Sequence, residues 1–331
     1  MRHMRKITAY TLALAAILSG CGKSPLPQTG SAEILVLSDM VSAYGSPLSK
    51  AEINENNALG NTLYLNETLR KSFSMKPLNN PENGIYATGS KWESGEYSFY
   101  ACMHSGDGIS GVAGDGRSFT VVQPTDTPSA DGSNSSFSDY LLSYTFYVGD
   151  GNSRPMVRLQ MAHAVSSVEL HFVKPAGAAD TKVLNAKVIG VKYSASYNVN
   201  NHTDNDIRWT VATDSQTTDY SRVTDGADGE FNVPEAGPDG SMYPDGSLYF
   251  SFLTCQQAVD NPSAPVRISV EYEINGEPFN SAFSLDQVQG VSNWMAGTKT
   301  RYAVVLDSEA RLYGSIAPWN DGGEMEGSMI P

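Results

Sequence analysis

The chain is short of several features that would narrow its role. It has three cysteines in 331 residues, Cys21, Cys102 and Cys255. That is too few for a disulfide-stapled scaffold, so stability has to come from hydrophobic cores. None of the three has the Cys/His spacing of a metal site. Lys and Arg number 22 against 36 Asp and Glu, for a net charge of −14. Such a surface repels phosphate backbones and no basic stripe relieves it, which excludes nucleic-acid binding. Beyond the amino end, no apolar run reaches the roughly 20 residues that a membrane helix needs. Sustained 3.6-residue periodicity is missing too, with Ser49–Leu59 suiting a turn or two of helix at most. There is no Gly-x-Ser-x-Gly elbow, Walker loop, dinucleotide fingerprint or His-Glu-x-x-His helix. No catalysis and no cofactor are therefore expected.

What is present begins at residue 1. Arg2, Arg5 and Lys6 form a basic start, followed by the apolar run Leu12-Ala-Leu-Ala-Ala-Ile-Leu18 and the small residues Ser19-Gly20 before Cys21. A basic region, a short apolar core and small residues at the cut make a secretory signal over residues 1–20. Leu18-Ser19-Gly20-Cys21 resembles the lipobox of bacterial lipoproteins, which implies cleavage before Cys21 and diacylation of its thiol. Two acyl chains, at about 0.8 kcal/mol per buried CH₂, hold a protein durably where one is marginal. The Pro-rich stretch that follows reads as a tether over residues 21–31, lifting a folded part off the membrane. Loss of the three basic signal residues moves the net charge from −14 to −17.

The remaining residues read as all-β. Runs rich in Val, Ile, Tyr, Phe and Thr alternate with Gly, Pro, Asn and Asp clusters, the pattern of β-sandwiches. Val266-Arg-Ile-Ser-Val-Glu-Tyr-Glu-Ile274 places an apolar side chain at every second position, so one face belongs to a core and the other to water. Val168, Leu170 and Phe172 alternate in the same way. Pro124–Ser138 and Asn200–Gly240 read as long surface loops, and Pro238-Asp-Gly240 and Pro244-Asp-Gly246 as tight turns. The polar stretch Gly149–Pro155 suggests a division into residues 32–154 and 155–331. Trp92-Glu-Ser-Gly95 and Trp294-Met-Ala-Gly297, each ahead of a strand, hint at duplicated halves.

Candidate ligands are few. On an unbroken strand His163 and His171 would sit roughly 26 Å apart at about 3.3 Å per residue, too far to share a metal, so both read as structural. Asp204-Asn-Asp206 and Asp225–Glu230 are oxygen-rich but lack EF-hand spacing, and no metal is expected. Four tryptophans and 17 tyrosines could build a sugar-stacking platform, but such residues are more often core anchors and strand-face neighbours.

Five stretches stand in a characteristic order: Asp139-Tyr-Leu-Leu, Val157-Arg-Leu-Gln-Met-Ala-His163 with the Ala-Val-Ser-Ser-Val168 that follows, Trp294-Met-Ala-Gly297, Tyr302-Ala-Val-Val-Leu306 and Ile316-Ala-Pro-Trp319-Asn-Asp-Gly322. Together they resemble the fimbrillin (Mfa-like) family of Bacteroidetes lipoprotein pilins and ancillary fimbrial subunits. The resemblance implies two tandem transthyretin-like β-sandwiches and a role as a fimbrial subunit, structural or at an adhesive tip. It further implies partners: other subunits joined by β-strand donation, the outer membrane through lipid on Cys21, and host or bacterial surface ligands. In shaft pilins of the family a trypsin-like protease removes the first strand. Here that strand is Ile34–Leu37, with cleavage after Lys50 or Arg70; a peripheral position in the sheet would favour its removal, and a central one would mean that the chain cannot mature by losing it. A surface glycan-binding lipoprotein is the alternative reading.

Overall fold

The computed structural model describes residues 33–40, 63–69, 75–78, 85–91, 97–104, 118–125, 137, 139–143, 157–200, 208–222 and 231–319. Among them the regular elements are strands, apart from one 3-10 turn at Leu285–Gln287. No helix among the described residues is long and apolar enough to cross a membrane. The fold class expected from the alternating runs is the one found.

The first part of the chain supplies β1 (Glu33–Met40), β2 (Leu63–Leu69), β3 (Met75–Leu78), β4 (Ile85–Lys91), β5 (Tyr97–His104), β6 (Ser118–Val122), β7 (Tyr140–Ser143) and β8 (Val157–His163). Seven of these form one sheet in the order β3-β2-β5-β7-β8-β1-β4. β1 is therefore a central strand of its sheet, the position that argues against maturation by its loss. It runs parallel to β8, with Val36 opposite Val157 and Met40 opposite Met161, and antiparallel to β4 on its other side. β6 leaves its neighbours and pairs instead with β11 (Ser194–Asn200), placing Val122 opposite Ser194 and Ser118 opposite Asn198.

The second part continues with β9 (Val165–Val173), β10 (Thr181–Lys192), β12 (Arg208–Thr213), β13 (Thr217–Ser221), β14 (Phe231–Asn232) and β15 (Leu248–Cys255). It ends with β16 (Gln257–Ala258), β17 (Arg267–Ile274), β18 (Glu277–Ser284), β19 (Asn293–Trp294), β20 (Thr298–Val305) and β21 (Arg311–Pro318). One sheet has the order β15-β9-β20-β21, and a second the order β13-β10-β17-β18 with β14 also on β10. Asn200–Gly240 is thus not one long loop, because it contains β12, β13 and β14. They are short and set among polar residues, and pairing against β11 and β10 makes them strands.

The two sheets share one core. Val168, Leu170 and Phe172 of β9 are fully buried, as are Phe250 and Phe252 of β15, and Val183 and Ile268 from the facing sheet. Tyr220 of β13 lies 4.8 Å from Phe252, centroid to centroid, across the interior. β17 follows its sequence pattern closely: Ile268, Val270 and Tyr272 are buried while Arg267 and Glu271 are exposed. β9 departs from its pattern. Ser167 and His171, on the face expected in water, are only 3% and 7% exposed. A segment that includes both Pro-Asp-Gly turns folds over that face.

Chain and sheets exchange between residues 118 and 165. Val121, Phe137 and Tyr140, all ahead of residue 154, join the core of the second part. β8, after residue 155, belongs to the first sheet and runs through Ala164 directly into β9. The Ala164 N–H donates to the Tyr140 carbonyl at 2.7 Å, and the Tyr197 hydroxyl donates to the Ala164 carbonyl at 2.6 Å.

Candidate functional site

Strand register builds a polar row across the outer face of the four-stranded sheet. Ser251 of β15 is opposite Glu169 of β9, which is opposite Arg301 of β20, which is opposite Ser315 of β21. One step along, Ser167 is opposite Lys299. In-register neighbours project from the same face, so one carboxylate and two cations converge. Arg301 Nε donates to Glu169 Oε2 at 3.0 Å, and Lys299 Nζ to Oε1 at 3.0 Å. His171, two residues along β9, brings Nε2 to 3.2 Å from Oε2. With Nε2–H given to the carboxylate, Nδ1 accepts the Ser247 hydroxyl at 3.0 Å.

The segment Pro238–Ser247 walls this row on one side. Each Pro-Asp-Gly turn ends in a glycine with positive φ, Gly240 at +84° and Gly246 at +78°, the left-handed conformation that only glycine adopts without cost. Between the turns Tyr243 reaches across the sheet. Its hydroxyl is 3.0 Å from Ser315 Oγ, its ring meets His171 edge-on at 4.9 Å, and the Arg301 guanidinium lies 5.5 Å from the ring centroid. Sheet and segment enclose a cleft of about 470 Å³, within the range of small-ligand sites.

Burial by itself would raise the Glu169 pKa. The His171 hydrogen bond and the Lys299 charge outweigh it and hold the carboxyl at about 2. Glu169 is thus an anion under all ordinary conditions. Tyr243 is shifted upward, first by burial and further by the Glu169 charge, against the lowering effects of Ser315 and Arg301. It stays protonated and can donate.

A second constellation lies where the chain passes between sheets. Asp139, His163 and Trp319, far apart in sequence, meet in space. His163 Nδ1–H donates to Asp139 Oδ2 at 2.9 Å, and its ring stacks on the Trp319 indole at 4.0 Å with planes 6° apart. The Trp319 backbone N–H donates to the Gly297 carbonyl, and the Gly297 backbone N–H to the Val165 carbonyl, both at 2.9 Å. The cluster closes the end of β21 onto the β8–β9 connection and has the features of a clasp. His163 and His171 thus work in separate settings.

Other residues singled out in the sequence are distributed differently. Cys21, Lys50, Arg70, Asp204-Asn-Asp206 and Asp225–Glu230 lie outside the described residues. Cys102 falls in β5. Cys255 is a buried free thiol, its pKa pushed up to about 12 first by burial and then by the Asp214 charge. Trp294 is a core residue with no exposed surface, donating Nε1–H to the Tyr302 hydroxyl at 2.9 Å, so it offers no sugar platform. Glu169, Tyr243, Lys299 and Arg301 carried no sequence signal beyond alternation, because only the pairing of distant strands brings them together.

Several solved structures share the architecture. A candidate cell adhesion protein from Bacteroides uniformis aligns with a TM-score of 0.52 at 14% identity, covering 88% of this chain and 100% of that one. A second, from Parabacteroides distasonis, gives 0.51 at 10% identity over 89% of this chain and 99% of that one. A third, from Bacteroides eggerthii, gives 0.51 at 11% identity over 88% and 98%. At such identities the likeness is one of fold. No curated protein sequence matches this chain significantly. In sequence, the family model described as fimbrillin-like matches residues 38–319, a span holding both sheet systems, the clasp and the cleft, and this chain belongs to that fimbrillin-like family.

Proposed function

We propose that this chain is a fimbrial subunit that assembles with others at the cell surface by β-strand donation. The observation that carries the reading is the match of the fimbrillin-like family model over residues 38–319; the position of β1, held between β8 and β4, bears on how a strand would be exchanged. β4 has β1 as its ladder partner in that sheet. Loss of β1 alone would therefore leave two open edges and detach β4, an expensive state because unpaired N–H and C=O groups line both edges. A strand supplied by another subunit satisfies both ladders at once, with alternate side chains on the two faces of the sheet. An inner β1 argues against maturation by its simple removal, so strand exchange in this chain has to put a donor strand in its place. Two tandem units, with the chain handed from one to the other at His163–Val165, and a lipid on Cys21 complete the proposal.

Limited trypsin treatment of the purified chain tests it. Cleavage after Lys50 or Arg70 with conversion of monomer into ladders of oligomers on native gels is the expected result. A chain that stays monomeric after cleavage, together with unchanged surface fimbriae when its gene is deleted, would sink the idea. Mass spectrometry of the amino-terminal peptide checks the anchor: a diacylated Cys21 is expected, abolished by Cys21→Ser.

A further inference from the structure

We propose that the cleft between Pro238–Ser247 and the outer face of β15-β9-β20-β21 binds a neutral saccharide, a role beyond that of a building block. The charges around the cleft argue for a neutral ligand. Lys299 and Arg301 rise from the floor, Asp239 and Asp245 come from the wall, and Glu169 stands between the two cations. A phosphate or carboxylate ligand accepts hydrogen bonds only, so it would meet the two wall carboxylates with repulsion. An ammonium ligand would meet the two floor cations. A sugar hydroxyl both donates and accepts, and a ring carrying several can bridge floor and wall.

The apolar surface also fits. Leu248, 39% exposed, borders the cleft, and the Tyr243 ring is fixed in place by Ser315, His171 and Arg301. Together they suit the C–H face of a pyranose, with the polar groups left to fix its orientation. At about 470 Å³ the space suits one or two sugar rings. The polar floor is pre-organised, since Glu169 already holds Lys299 and Arg301, and binding need not freeze long side chains.

Isothermal titration of the purified chain with cellotriose, mannotriose, N-acetyllactosamine and trigalacturonic acid provides the test. At least one neutral sugar should bind, and Asp245→Ala and Lys299→Met should each weaken it ten-fold or more. Melting temperature reports folding for both variants; Asp245, an exposed turn residue, should leave it unchanged. Absence of binding by all three neutral sugars, binding of trigalacturonic acid alone, or neutral-sugar binding that survives Asp245→Ala would each overturn the proposal. None of these outcomes bears on strand donation, which is read from oligomer formation.

Discussion

Glu169 is one carboxylate answering for three neighbours, and its removal should be costly. Glu169→Gln keeps the shape but leaves Lys299, Arg301 and His171 facing a neutral amide at a site 13% exposed. Breaking a largely buried ion pair by removing one partner costs about 3–5 kcal/mol, so the urea midpoint should fall by that equivalent. The pH dependence carries a definite sign. The folded carboxyl titrates at about 2 against an ordinary 4.5, so the folded state binds fewer protons in that interval. The stabilisation, roughly 3 kcal/mol from the linkage relation, is complete above about pH 4.5 and lost as pH falls toward 2. Urea melts between pH 5 and 2 should show a steep acid loss in the parent and a shallower one in Glu169→Gln. Equal slopes would show that Glu169 is not the responsible group. Trp294→Phe makes a parallel case in the core. It orphans the Tyr302 hydroxyl, at an expected cost of about 1–3 kcal/mol, read from the same melts.

At the scale of elements, close packing against the sheets is as specific as hydrogen bonding. Gly314 of β21 passes under the segment after the 3-10 turn. A Cβ there would lie 2.7 Å from Val288 Cγ1 and 3.0 Å from Val291 Cγ2. Both contacts are branched methyls of a segment tied by the Val288 N–H to the Leu285 carbonyl. Gly314→Ala should destabilise by about 1–3 kcal/mol through overpacking, and Val288→Ala in the same chain should recover part of that loss. Chemical denaturation of the single and double variants measures the coupling, and strict additivity would mean that the contact is not the cause. Elements also differ in how far they could be read beforehand. β17 was legible because each of its faces has one environment. β9 was half legible: its inward Val168, Leu170 and Phe172 stood out, but its covered outer face did not, since the cover comes from Asp239–Ser247, far along the chain. β13 was illegible, because its run Thr-Thr-Asp-Tyr-Ser, held by β10, looks locally like a loop. β12 alternates only Trp209 and Val211, too short a pattern to stand out from the polar residues around it.

For the whole molecule, the exchanges between sheets have a thermodynamic consequence. β8 and β9 are one continuous run through Ala164, β6 pairs with β11, and Tyr140 contributes to the distant core. A unit that loses the first sheet therefore also loses part of the second core, and unfolding should be a single cooperative transition. Cys255 supplies a local probe, since the buried thiol, with its pKa near 12, is inert in the folded state. In a chain with Cys21 and Cys102 replaced by Ser, thiol labelling and far-ultraviolet circular dichroism should change at the same urea concentration. Labelling at a lower concentration would show that the second core opens independently. The cleft belongs to this scale too. Arg301 and Glu169 are separated by 132 positions, and no local pattern could have paired them.

Local chemistry was enough for what depends on neighbours in sequence: the alternating strands, the inward faces of β9 and β17, and the paired Pro-Asp-Gly turns. Each rests on side-chain alternation, turn stereochemistry or a contiguous motif, and these act over a few residues. Tertiary structure alone decided which strands are partners. It enclosed β1 between β8 and β4, brought Asp139, His163 and Trp319 into one stack, and aligned Glu169 with Arg301 under Tyr243. Register is chosen by the summed burial and pairing of entire strands, and that sum exists only once the chain has folded.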